Sequence, residues 1–300
     1  MAGDSNGEGL TSVTAAVALA DACGQVGLDP GQARLLRVGE NANYALPDQG
    51  IVVRIARSLD RRERVEREVA LAGWLAELDF PAVRLAPDLP QVVPADDRLV
   101  TFWQLVAETD AEKTTADLGG ILARFHALPS PPFALPPFDP FSVVPARLAL
   151  TGDADPEDVA FLTDLLDQLV ETYQSLEFPT SHGLIHGDAH RSNLLATASG
   201  VLLSDFDVVA FGPREWDLTP TALAADRFGL PRDEYAAFAK AYGRDVTEWD
   251  GYRIMAATRE LTMTTWLMQN VSESPQIAEE FHARVTSMRE GDHERRWNAF

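Results

Sequence analysis

The spacing of apolar residues changes character about a third of the way along this chain. Residues 12–28, SVTAAVALADACGQVGL, have alanine-rich helical spacing that stops near Gly24 and Gly27. Residues 33–56, ARLLRVGENANYALPDQGIVVRIA, alternate differently. A short apolar run, a Gly-Glu-Asn-Ala-Asn loop, a second run, a Pro-Asp-Gln-Gly turn and the β-branched run IVVRI together predict three antiparallel strands. In RRERVEREVALAGWLAEL, residues Val65, Val69, Leu71 or Ala72, Leu75 and Leu78 recur at helical spacing with charges on the other face. Two more short strands follow within residues 80–106, separated by proline-rich turns. By residue 106 the pattern therefore predicts a five-stranded sheet with one helix on it.

Beyond that point helical spacing dominates. TADLGGILARFHALP reads as a helix, residues 129–142 as a proline-rich loop or strap, and DPEDVAFLTDLLDQLVETYQSL as a strong helix with Asp155-Pro156-Glu157 at its start. LIH is a short apolar run, LLATASGVLLS a tight hairpin turning at Thr197 to Gly200, and the chain from residue 213 onward is mostly helical. The expected fold class is α+β, a small N-terminal lobe over residues 1–105, with 1–11 frayed, and a larger helical lobe over 106–300.

Composition narrows the function. The 300 residues include 46 acidic and 25 basic side chains, for a formal charge of -21, which repels nucleic acid and anionic membranes. The excess serves either solubility or attraction of a cationic substrate. Cys23 is the single cysteine, so a disulfide scaffold and a cysteine-based zinc site are excluded. No secretory signal is visible and no apolar run approaches the ~18 residues of a membrane span. A cytoplasmic protein, monomer or homodimer, is the expectation.

The candidate chemistry is concentrated in HGLIHGDAHRSNLLATASGVLLSDFD, His182 to Asp207. Two readings compete. His186, Asp188 and His190 stand at i, i+2 and i+4, where an extended backbone would present all three as ligands of a metal hydrolase. Against this, Gly187 weakens a strand and the other histidines, His126, His182, His282 and His293, form no second cluster. The second reading takes Asp188 and Asn193, five apart, as a kinase-type catalytic loop, with Asp205 twelve positions further on after a hairpin. Phosphoryl transfer needs oxygen ligands for Mg2+, here Asn193 and Asp205, and a separate carboxylate, Asp188, to orient the acceptor hydroxyl.

HGDAHRSNLL with LLSDFDVVAFGPREWDL resembles the aminoglycoside phosphotransferase family of small-molecule kinases, which also includes choline and homoserine kinase relatives. Glycine at 187, where protein kinases carry arginine, separates the two groups. The resemblance implies a protein-kinase-like two-lobe fold with ATP or GTP as co-substrate and Mg2+ as cofactor. It makes GENANYAL the phosphate-covering loop, with Gly39, Asn41 and Asn43 as contacts, and aligns VVRI with the strand that carries a phosphate-binding lysine, here Arg54. Glu68 is its expected acid partner, Glu66 the second choice. The backbone of Gln104 to Val106 would bond the base. Asp217 would brace the catalytic loop, His186 would be a structural brace and His126 would pack or cap a helix end, while Asp207 serves either bracing or the site. Asp233, Tyr235, Glu260 and Trp266 on late helices are candidate acceptor contacts. The implied function is transfer of a γ-phosphate to a hydroxyl of an antibiotic, an aminoglycoside or another sugar-bearing or nucleoside compound. A choline, homoserine or sugar kinase is the metabolic alternative, and a nucleotide-binding pseudokinase or the metal hydrolase are readings from other classes.

Overall fold

The computed structural model describes residues 10–300; of the expectation of a frayed start, residues 1–9 lie outside the described residues. Leu10 is buried and Thr11 caps the first helix through a reciprocal capping box with Thr14.

In chain order the first elements are α1 (Ser12–Val26), β1 (Arg34–Val38), β2 (Asn41–Leu46), β3 (Ile51–Ala56), α2 (Arg62–Glu77), β4 (Val93–Ala95) and β5 (Arg98–Gln104). Then come α3 (Thr115–His126), α4 (Val144–Ala149), α5 (Pro156–Gln174), β6 (Gly183–Ile185), β7 (Leu194–Thr197), β8 (Gly200–Leu203) and β9 (Ala210–Gly212). The chain finishes with α6 (Glu215–Arg227), α7 (Arg232–Tyr242), α8 (Tyr252–Met268) and α9 (Pro275–Glu290). This is an antiparallel five-stranded sheet near the N-terminus followed by a larger helical part, a protein-kinase-like arrangement. No helix among the described residues is long and apolar enough to cross a membrane.

The described chain divides into two compact units, and the division is not a single cut. The first comprises the N-terminal residues to Lys113, Pro131–Ala134 and Ser192–Val209. Its sheet runs in the order β1-β2-β3-β5-β4. Alternation along β3 sends Val53 and Ile55 into the core and leaves Arg54 on the other face, opposite Asn43 on β2 and Thr101 on β5. On the core side α1 buries Ala15, Ala18, Leu19, Ala22 and Cys23 against those strands. Gly27, at φ 75°, ends α1 in the left-handed conformation that glycine adopts without a Cβ clash. The β7–β8 hairpin joins this unit through a bridge between Ala82 and Leu203 and a bond from the Thr109 N–H to the Ala196 carbonyl. The GENAN stretch is shorter as a loop than its composition predicts: only Gly39 and Glu40 turn, because β2 already begins at Asn41.

The second unit holds α3 to α6, β6, β9 and α7 to α9. Two apolar clusters support it, one built on α4, α5, α8 and α9 and one around Ile185, Trp216 and Met255. Helices α3 and α7 pack closely because Gly119 has no side chain; a Cβ there would lie 2.4 Å from the Phe238 carbonyl oxygen. The proline-rich stretch 129–142 is irregular.

Candidate active site

Each unit carries one part of the predicted site. In the second unit, the stretch after β6 is held by Asp217 in the first turn of α6. One Asp217 oxygen accepts the His186 N–H (2.6 Å) and the other the Gly187 N–H (2.8 Å). His126 Nε2 lies 2.9 Å from the same carboxylate, and its Nδ1 2.9 Å from the Tyr242 hydroxyl. Trp216 adds a bond from its indole N–H to the Gly187 carbonyl (2.8 Å). Asp217 is fully buried, and burial alone would raise its pKa; the His126 bond, the nearby histidines and the His186 N–H outweigh that and hold it below the ordinary carboxylate range. Asp217 thus braces the loop as its position suggested, and His126 is a packed, bonded side chain.

What this bracing presents is Asp188. Its side chain is 48% exposed, with Oδ2 3.2 Å from His190 Nε2 and Oδ1 accepting from an Arg259 guanidinium N–H at 3.1 Å. Burial pushes the Asp188 pKa up, but the His190 hydrogen bond and the Arg259 charge overcome it, so the carboxyl stays well below its usual range and ionised. A carboxylate held this acidic is better suited to orienting a hydroxyl than to taking its proton early. The hydrolase ligand set does not form. His186 is fully buried, its Nδ1 turned to the Asp188 N–H at 3.4 Å and its ring edge-on to Phe125. Among the described residues no group of three or more His, Cys, Asp or Glu side chains is placed to hold a metal ion.

In the first unit the centre is Arg54. Its guanidinium lies 3.6 Å from Glu68 of α2, 2.8 Å from Asp205 and 3.7 Å from Asp207. Burial raises the Glu68 pKa to about 7 even against the Arg54 charge that lowers it. Glu66, the second choice, pairs instead with Arg62 on the exposed face of α2. Asp205 follows β8 at φ 64°, a left-handed conformation costly for a residue with a Cβ and characteristic of functional positions. Asn193 is buried, and its carbonyl accepts both the Ser204 N–H and hydroxyl at 2.9 Å.

Asp207, open between two roles, is held from several sides. Arg64 holds its carboxylate at 2.9 Å and its carbonyl at 2.7 Å, and the Asn41 side-chain amide reaches it at 3.2 Å. Asn41 therefore ties the start of β2 to the segment after β8. Arg64 went unnoticed in the sequence, although it stands one helical turn before Glu68 and so shares its face.

The remaining candidates divide. The Gln104 N–H donates to the Arg84 carbonyl (2.8 Å) and its side-chain amide to the Leu85 carbonyl (3.1 Å). The Val106 carbonyl accepts the Glu108 N–H. Gly39 donates its N–H to the Asn41 carbonyl within the turn. Tyr235 is buried with its hydroxyl on Asp245, and Glu260 is buried in an ion pair with Arg227. Asp233 is exposed at the start of α7, accepting the Glu234 N–H. Trp266 is 45% exposed on α8. Arg259 was missed because its partner lies 71 residues away, beyond any local pattern.

The phosphotransferase enzyme family model matches residues 33–257, three quarters of the chain. The chain belongs to the APH phosphotransferase family. As a family member it is a small-molecule kinase, with solved structures of the same fold at low identity. An amicoumacin kinase, hAmiN, solved with AMP-PNP, Ca2+ and Ami, is 14% identical at a TM-score of 0.71 and covers 90% of this chain and 91% of that one. A microcompartment-associated aminopropanol kinase is 22% identical at a TM-score of 0.67, over 92% and 94%. The aminoglycoside phosphotransferase APH(3'')-Id from Streptomyces rimosus is 17% identical at 0.59, over 84% and 99%. No curated protein matches the chain significantly.

Proposed function

We propose that this protein transfers the γ-phosphate of ATP or GTP, with Mg2+, to a hydroxyl of a sugar-bearing or nucleoside antibiotic. The observation that carries the phosphotransfer reading is the Arg54 cluster: one permanent cation pairing a buried glutamate and touching the acid that follows the β7–β8 hairpin. In a family where this position contacts phosphates, the guanidinium offers two donors for a phosphate and the glutamate fixes its direction.

The donor set suits magnesium. Asp205 and Asn193 offer hard oxygen ligands, and with no three-residue cluster among the described residues the ion would draw its other ligands from nucleotide oxygens and water, as Mg2+ prefers. When bound it neutralises charge on the β- and γ-phosphates. Asp188 aligns the acceptor hydroxyl, and Asp217 keeps the loop rigid beneath it.

The test is phosphate transfer from Mg-ATP and Mg-GTP to a panel of antibiotics and metabolic alcohols, confirmed by product mass. Asp188→Asn should fold and bind nucleotide with unchanged affinity but transfer at least ~100-fold more slowly. Nucleotide binding without product from any acceptor would mean a pseudokinase, and a product confined to amino alcohols or simple sugars would mean a metabolic kinase.

A further inference from the structure

We infer that Arg259 is a positioning residue for phosphate transfer: its guanidinium fixes the direction of the Asp188 carboxylate and takes its own place from the face of Trp216. This rests on the phosphotransfer reading above and adds to that site a group that acts through Asp188. Asp217 holds the loop but not the side chain that has to work. Its two bonds go to the His186 and Gly187 N–H groups, and neither restrains the side-chain torsions of Asp188. That carboxylate is half-exposed, so bonded side chains and not packing must direct it. Two that do so differ in kind. His190 stands two residues on in the same loop and is partly exposed, so it ties the loop to itself. Arg259 comes from α8, 71 residues away, and is only 13% exposed.

Arg259 has a fixed seat. Its guanidinium carbon lies 4.7 Å from the centroid of Trp216, within cation–π range, and the indole N–H of the same tryptophan donates to the Gly187 carbonyl at 2.8 Å. One buried ring thus references both the backbone before Asp188 and the Asp188 side chain. The ring is held in turn by an apolar cluster with Ile185 on β6 and Met255 on α8, and Met255 stands one helical turn before Arg259 on the same face. Glu260, the residue after Arg259, is buried against Arg227 of α6 and so pins α8 at that point. All of these groups lie in the second unit.

Such a seat matters because in-line transfer depends on the direction of the attacking hydroxyl: displacing a positioned group by about 1 Å costs on the order of 100-fold in rate. A guanidinium is suited to hold a direction, since its N–H groups form a rigid fork while its face stacks on a ring; a lysine ammonium is a point of charge on a flexible stem. Bonds from Arg259 and His190 do not exhaust a carboxylate, which offers about four lone-pair sites, so Asp188 can receive the acceptor hydroxyl while Arg259 holds it. The same contact helps to keep the carboxyl ionised and therefore accepting.

The experiment uses the full chain with Mg-ATP and kanamycin A, uridine, glucose, choline and 1-amino-2-propanol as trial acceptors, and follows whichever the wild type phosphorylates. Arg259→Ala should lower kcat by roughly 30- to 100-fold, with the KM for ATP changed by less than about twofold and circular dichroism unchanged. Guanidinium chloride at about 20 mM should raise the kcat of that variant at least about fivefold by occupying the vacated place on Trp216, whereas urea or NaCl at the same concentration should not. A residue needed only for folding would show no such selective rescue. A kcat for Arg259→Ala within about threefold of wild type, or a deficit that guanidinium relieves no better than urea, overturns the inference and leaves phosphotransfer standing. No transfer to any acceptor with ATP bound overturns both. If Arg259→Ala fails to fold, Arg259→Lys decides: a kcat at least about fivefold below wild type with the KM for ATP unchanged supports the inference, and a wild-type kcat overturns it.

Discussion

Arg54 stands where a lysine is expected, and its surroundings explain why an arginine serves. A guanidinium can face Glu68, Asp205 and Asp207 at once, whereas an ammonium is a single point of charge. Arg54→Lys should therefore raise the KM for nucleotide by roughly tenfold, the size of one charge-assisted hydrogen bond lost, with little change in fold by circular dichroism. Glu68 yields a pH prediction. Its pKa is raised in the folded protein, so the stability it contributes is complete below the ordinary carboxylate value and is lost as pH rises through about 7. Glu68→Gln should then gain on the wild type by a few degrees in Tm between pH 5 and pH 8. A constant difference across that range would show that Glu68 does not titrate there.

At the scale of elements, the helices and long strands were legible because backbone geometry imposes their period on the sequence. The five-stranded sheet, α2, α3, α5 and the β7–β8 hairpin all follow apolar spacing and end signals present locally. The three-residue β9 and six-residue α4 were not anticipated, since neither is long enough to show a period. The turn at Gly39–Glu40 was overestimated because asparagines, common in loops, here start β2. The packing of α3 on α7 depends on Gly119, whose neighbour is a rigid backbone carbonyl. Gly119→Ala should cost about 1–3 kcal/mol, measured by urea unfolding, with no gain from the alanine's better helix propensity.

For the whole molecule, the acidic excess acts as a net charge. With 46 acidic and 25 basic residues, self-repulsion opposes the compact state, and Tm should climb when NaCl is raised from about 10 to 150 mM as the screening length falls from about 30 to 8 Å. A flat Tm would mean that the charges are already balanced locally. By itself the sequence determined the order of elements, the fold class and the family, because helical period, turn residues and the close spacing within His182 to Asp207 are all short-range. Only the tertiary structure decided the partners: Arg259 on Asp188, Arg54 on Asp205 and His126 on Asp217 span 71, 151 and 91 residues. It also tied Asp207 to Arg64 and Asn41, and buried Tyr235 on Asp245 and Glu260 on Arg227. The reason is physical: a local pattern reports which face of an element is buried, but which charge meets which is settled by packing between elements that share no sequence neighbourhood.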